Sequence, residues 1–191
     1  MPVRKIFVDL DDVLNELTIP ALQHIGCRIA NIHQYKPEWG WDIAFAASEL
    51  LGQPQQLQET FWGQYTEDFW RILPVSDLCY PLLQRCDELV GEKNVCILTR
   101  PTNHGSCLSG KLKWINDHVP TMIHNYLIGC PKHLCASPDA LLIDDSEENV
   151  RRFRHYGGQA ILVPRLWNAL HSIKDPNQYV LKELYDDCHT F

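Results

Sequence analysis

Two apolar patterns alternate along the 191-residue chain. The first is a short unbroken run of the kind a fully buried strand shows. It occurs at Lys5-Ile6-Phe7-Val8, Val95-Cys96-Ile97-Leu98, Tyr126-Leu127-Ile128, Ala140-Leu141-Leu142-Ile143 and Ala160-Ile161-Leu162-Val163. The second is helical spacing: Leu78, Leu82, Leu83 and Leu89 end near Gly91, Leu108 to His118 stops at Val119-Pro120, and Glu147 to Tyr156 stops at Gly157-Gly158. Strands that read as continuous apolar runs, separated by helices, predict a parallel sheet covered on both faces. The fold class is therefore α/β, a Rossmann-like doubly wound sheet.

One stretch breaks the alternation. From Asn15 to about Pro74, apolar residues recur at helical spacing (Leu17, Ala21, Leu22, Ile25; then Leu50, Leu51, Leu57, Phe61, Trp62), with loops at Lys36-Pro37-Glu38 and Gly52-Gln53-Pro54. This predicts a helical insertion after the first strand, dividing the chain into a core of residues 1–14 and 75–191 and a cap of residues 15–74. The tail beyond Pro164 is polar and mixed, with a last helix expected over Tyr179 to Tyr185.

In doubly wound sheets the active crevice lies beyond the carboxyl ends of the strands. Polar residues gather at those ends: Asp9 and Asp11 after the first run, Thr99 and Arg100 after the second, Lys132 after the third, and Asp144 and Asp145 after the fourth. Two unit charges a few ångströms apart repel by roughly 4 kcal/mol at an effective dielectric of about 20, so paired carboxylates require a proton or a cation. Two such pairs around one crevice supply the oxygen ligands that Mg²⁺ prefers. A cation, a lysine, a hydroxyl and a carboxylate nucleophile suit a phosphate dianion and phosphoryl transfer through an aspartyl-phosphate.

Charge and cysteine content narrow the partners. The formal net charge of −7 disfavours extended binding to nucleic acid, though not a local pocket for one phosphate. The N-terminus enters a strand pattern directly, without a secretory apolar segment, and no apolar run approaches membrane-spanning length. A cytoplasmic protein with reduced thiols is expected despite eight cysteines. Cys130, His133 and Cys135, with His124 nearby, form a metal-type cluster, but no second Cys-x-x-Cys half accompanies them, so a loop is the expectation. His104-Gly105-Ser106-Cys107 places nucleophile types beside a histidine and reads as the opening of a helix.

Asp9-Leu10-Asp11-Asp12-Val13, the strand-end Thr99, the following Lys132 and Asp144-Asp145 resemble, in this order, the four motifs of the haloacid dehalogenase (HAD) superfamily, from Lys5 to about Pro164. Within it the chain looks like the 5′(3′)-deoxyribonucleotidases, which carry a helical cap after the first motif, a Thr/Ser turn with Pro (here Thr99-Arg100-Pro101), and Leu-Ile-Asp-Asp (here Leu142 to Asp145). The resemblance implies Asp9 as nucleophile and metal ligand, and Asp11 as acid and base, with its carbonyl on the metal. It implies Thr99 and Lys132 on the phosphate oxygens, Asp145 and Asp144 on the metal, and Asn149 orienting Asp145. The sequence departs from that pattern at Asp12, where Gly is usual, and at Arg100, where a small residue is usual; Arg100 is then expected to add a contact to phosphate or to an acidic substrate. The implied activity is Mg²⁺-dependent hydrolysis of a small phosphate monoester, a (deoxy)nucleoside monophosphate first. The alternatives are a phosphosugar, a nucleic-acid end, or a non-catalytic binding role. Most cap aromatics read as core; Trp39, Trp41 and Phe45 are the candidates for substrate contact.

Overall fold

In a computed structural model, which describes residues 1–119 and 125–189, five strands form one parallel sheet. They are β1 (Lys5–Val8), β2 (Val95–Thr99), β3 (Tyr126–Ile128), β4 (Ala140–Asp144) and β5 (Gln159–Leu162), in the order β3-β2-β1-β4-β5. β1 is central, pairing Ile6 with Val95 on one side and with Leu141 on the other. Every residue of β4 is buried, which is why that run carries no alternation. The doubly wound α/β class is as the sequence predicts. The fifth strand begins and ends one residue early, and the third is only three residues long.

The described residues hold eight α-helices: α1 (Thr18–His24), α2 (Ile43–Leu51), α3 (Gln58–Trp62), α4 (Glu67–Arg71), α5 (Cys79–Val90), α6 (Gly105–His118), α7 (Glu147–His155) and α8 (Pro176–His189). The predicted stop of α7 is met by Gly157, whose φ of +89° is a left-handed conformation that glycine adopts without strain. No helix is long and apolar enough to cross a membrane among the described residues.

The first four helices lie between β1 and α5, and the chain leaves and rejoins the sheet side by side. Asn15 and Val75 form an antiparallel bridge, Glu16 donates its N–H to the Pro74 carbonyl, and Ser76 donates its N–H to Leu14. The helical segment packs around its own aromatic group, with Tyr65 4.6 Å from Phe69 and Phe61 4.8 Å from Trp62, centroid to centroid. It meets the core where α4 crosses α6. There Gly110 leaves no room for a side chain: a Cβ would lie 2.7 Å from the Glu67 carbonyl and collide with Trp70. Glycine permits that close approach.

Candidate active site

Strand order brings the polar strand ends together. β1 and β4 are neighbours, so Asp9, just past β1, stands beside Asp144 and Asp145 at the end of β4. One carboxylate oxygen from each of the three lies within 4.8 Å of the others, and all three residues are buried. Lys132 follows β3 in a short 3₁₀ turn. Its ammonium reaches inward to bridge Asp9 Oδ1 and Asp144 Oδ2, each at 2.6 Å.

Three buried carboxylates therefore face one buried ammonium. Burial pushes the Asp9 carboxyl up to about 7, with the Asp144 and Asp11 charges adding to the rise and Lys132 opposing it. Asp145 is also held well above the ordinary carboxylate range, by burial and then by Asp144 and Asp9. Burial alone would lower Lys132, but the Asp144 and Asp9 carboxylates hold its ammonium above the usual range. The uncompensated negative charge and the all-oxygen donor set fit a hard divalent cation.

The remaining hydrogen bonds fix the orientation of each carboxylate. Asp9 Oδ1 accepts the Leu10 N–H at 2.8 Å. Asp144 Oδ1 accepts from the Ser146 N–H at 2.9 Å, and Asn149 Nδ2 donates to both Asp144 oxygens at 3.2 Å. Asn149 thus orients Asp144, not Asp145 as the resemblance implied. The reason is helix entry: Ser146 caps α7, so the first turn directs Asn149 back toward β4.

Asp145 takes its partners from the segment after β5, which the sequence reading left without a role. Trp167 Nε1 donates to Asp145 Oδ2 at 2.7 Å, while Asn168 Nδ2 bonds the Asp145 carbonyl at 2.9 Å and the Val163 carbonyl at 2.8 Å. The Trp167 ring also lies 5.5 Å from Tyr35, edge to face, touching the helical segment. Such outer partners orient ligands and tune their affinity. A tryptophan and an asparagine in an irregular stretch carry no periodicity that would have revealed them.

A second buried lysine completes the other flank. Lys111 in α6 is 2% exposed; it pairs with Asp11 Oδ2 and donates to Thr99 Oγ1 at 3.0 Å and to the Arg100 carbonyl at 2.8 Å. A signal for it existed, because Cys107, Lys111, Trp114 and Ile115 share the buried stripe of α6, and a lone charge on such a stripe demands a partner. Thr99 is buried at the end of β2, as its placement requires. Arg100 offers its carbonyl to Lys111 at 2.8 Å, and the residue itself is exposed beside the end of β2.

Asp12 explains its own departure from glycine. Its φ of 54° is left-handed, which glycine meets without cost. Here the carboxylate offsets the strain by accepting the Leu17 N–H at 2.9 Å, the Thr18 N–H at 3.1 Å and the Thr18 hydroxyl at 2.7 Å, holding the start of α1. Its carbonyl accepts from Arg165 Nε at 2.8 Å.

The candidate aromatics separate. Trp39 belongs to the core, 6% exposed and set edge to face against Tyr35 at 5.2 Å; Pro37 starts a 3₁₀ turn that folds it inward, contrary to its reading as a loop aromatic. Phe45 packs against the same core from α2. Trp41 is 67% exposed. Of the thiol and imidazole cluster, His133 turns to α7, its Nε2 3.3 Å from Arg152 Nη2 and its ring 4.7 Å from Tyr156, and His124 lies outside the described residues.

Comparison with known proteins agrees with this geometry. The chain is 24% identical over 148 residues to the 5′(3′)-deoxyribonucleotidase of Bacillus subtilis (strain 168), covering 78% of this chain and 79% of that one. The 5′(3′)-deoxyribonucleotidase of Bacillus phage SPbeta matches to the same extent. The fold resembles a solved HAD family hydrolase from Deinococcus radiodurans R1, crystallised with bound phosphate and sodium, at a TM-score of 0.55 and 16% identity over 96% of this chain and 88% of that one. Residues 2–174 match the family model described as 5′ nucleotidase, deoxy (Pyrimidine), cytosolic type C protein. With that match over most of its length, and with carboxylates after β1 and β4 and a lysine after β3 meeting at one end of the sheet, the chain belongs to this family of HAD-type phosphatases.

Proposed function

We propose that the chain hydrolyses nucleoside monophosphates, deoxynucleotides first, in the cytoplasm, with Mg²⁺ and through a phosphoryl group carried on Asp9. The observation that carries this reading is the buried group of Asp9, Asp144 and Asp145 set against a single ammonium, Lys132, in a chain of this family. Asp9, Asp144, Asp145 and the Asp11 carbonyl would hold the cation, which when bound offsets negative charge on the carboxylates and the phosphate.

The chain's own groups divide the rest of the chemistry. A carboxylate oxygen of Asp9 attacks phosphorus as the bond to the ester oxygen breaks. Lys132 and the Thr99 hydroxyl hold the non-bridging oxygens. Asp11 gives a proton to the leaving alcohol, then takes one from the water that attacks the aspartyl-phosphate, freeing Asp9 and inorganic phosphate. Lys111, between Asp11 and Thr99, keeps those two groups on the same side of the crevice. Residues 15–74 act as the cap that limits water access, and Trp41 is the exposed aromatic available to stack on a base.

The test is phosphate release from nucleoside monophosphates, phosphosugars and an aryl phosphate, with Mg²⁺ or EDTA, on wild type and Asp9→Asn. Mg²⁺-dependent release that prefers deoxynucleotides and is lost in Asp9→Asn is the expected result. A preference for phosphosugars would move the substrate, and unimpaired release by Asp9→Asn would end the aspartyl-phosphate mechanism.

A further inference from the structure

The turn between β3 and β4 carries the site's lysine between two thiols. Cys130 and Cys135 flank Lys132 in sequence, and their Sγ atoms face each other at 3.9 Å across the 3₁₀ turn Lys132–Cys135. Both are free and half-buried, within reach of a small reagent. They lack the further ligands a metal would need: among the described residues, Asp9, Asp144 and Asp145 are the one group of three or more His, Cys, Asp or Glu side chains that could share an ion. The pair is a dithiol. In a reducing compartment such pairs serve as reversible redox sites rather than as permanent crosslinks.

Closing the pair would move the site. A disulfide requires sulfurs about 2.05 Å apart, so the two Sγ atoms must approach by roughly 2 Å, through side-chain rotation together with a shift of the short turn that carries them. His133 grips the outer side of the turn through Arg152 and Tyr156, which leaves the displacement to its inner residues. The inner residue is Lys132, whose ammonium holds Asp9 and Asp144 at 2.6 Å. Charge-assisted bonds of that length weaken over a few tenths of an ångström.

We propose that Cys130 and Cys135 are a modification site, forming a reversible disulfide that withdraws Lys132 from Asp9 and Asp144 and so suppresses phosphate binding and turnover. The loss of turnover rests on the role assigned above to Lys132. The oxidant is a small-molecule disulfide. The Cys130 thiolate attacks one of its sulfurs, the reagent's S–S bond breaks, and one small thiolate leaves with the electron pair. Cys135 then loses its proton to solvent and attacks Cys130 Sγ in the mixed disulfide, expelling the second small thiolate. Two cysteine thiols are oxidised and one disulfide is reduced to two thiols. Burial, followed by the neighbouring Cys130, pushes the Cys135 thiol up to about 11, so the second attack is the slow one.

The experiment uses the full chain, reduced with dithiothreitol and then incubated with glutathione disulfide. Three readouts are taken: peptide mapping by mass spectrometry, phosphate release from an aryl phosphate with Mg²⁺, and calorimetric binding of inorganic phosphate with Mg²⁺. The expected result is a Cys130–Cys135 link with a loss of about tenfold or more in both activity and phosphate affinity, reversed by dithiothreitol. Cys130→Ser and Cys135→Ser retain the reduced activity and ignore the oxidant, while Cys96→Ser behaves as wild type. Absence of the link, a link to Cys96 instead, or a link that leaves phosphate binding unchanged overturns the proposal. If the reduced protein releases phosphate from nothing, the substrate reading fails by itself, and phosphate calorimetry still decides the switch.

Discussion

The ends of β1 and β4 and the helical segment between β1 and α5 are both densely buried, but by opposite means. At the strand ends, three carboxylates are buried against one ammonium, an arrangement whose desolvation cost is offset only by exact pairing and by added positive charge. In the helical segment, Phe61, Tyr65, Phe69 and Trp70 bury large rings in tilted and edge-to-face contacts; the Tyr65 hydroxyl donates to the Ala21 carbonyl at 3.0 Å, and Trp70 Nε1 is buried without a hydrogen-bond partner among the described residues. The first region gathers charge that calls for a cation, while the second is held mainly by apolar contact. Most of the aromatic content of the helical segment is therefore structural, and the exposed Trp41 stands apart from it.

Substitutions can break that contrast. Lys132→Met leaves Asp9 and Asp144 without their cation, so we expect kcat to fall about 10²–10³-fold and the Mg²⁺-free fold to lose about 3–5 kcal/mol, read by steady-state kinetics and denaturant unfolding. Phe61→Ala empties part of the ring cluster and should cost about 3–5 kcal/mol in the same unfolding assay while Mg²⁺ affinity stays near wild type; a lost metal site would show that the two regions are not separable. Trp167→Phe keeps the ring against Tyr35 but removes the donor to Asp145, and Mg²⁺ binding by calorimetry should weaken about 10–100-fold with little change in metal-free melting.

Acidity sharpens the contrast further. Asp9 rises from 3.8 to about 7 on folding, so the native state holds a proton that the unfolded chain has released. Its contribution to metal-free stability is complete in acid and is lost as pH climbs through about 7, and Asp145 acts in the same direction. Mg²⁺ must displace those protons. Its affinity should gain up to about tenfold per pH unit for each proton released below about 7, and calorimetry in buffers of different ionisation enthalpy would count the protons. A pH-independent affinity would mean that the carboxylates are already ionised. The smallest expected effect is on stability in Trp41→Ala, under about 0.5 kcal/mol, paired with a KM rise of about fivefold for nucleotides and none for an aryl phosphate.

What could be read from the chain depended on how each residue is specified. The strands were legible because burial on both faces leaves unbroken apolar runs, and Asp9, Thr99, Lys132, Asp144 and Asp145 could be named because each sits where such a run ends. Lys111 left a weaker trace, a charge on an apolar helical stripe, and its partner Asp11 is 100 positions away. Trp167 and Asn168 left none: an irregular segment has no period, and only the finished fold brings it over Asp145. Trp39 misled because a short 3₁₀ turn can bury a ring that the surrounding Pro and Gly mark as a loop.

The central position of β1 has a consequence for the order in which the molecule comes into being. β1, which leads into Asp9, is made before either of its neighbours in the sheet, and the clasp of Arg165 on the Asp12 carbonyl joins residues 153 positions apart. Until β2 and β4 are made, the nascent chain therefore carries an apolar strand and a row of carboxylates with nothing to pair them. Until the segment after β5 has emerged and closed over Asp145, that residue lacks the Trp167 and Asn168 donors that hold it in place.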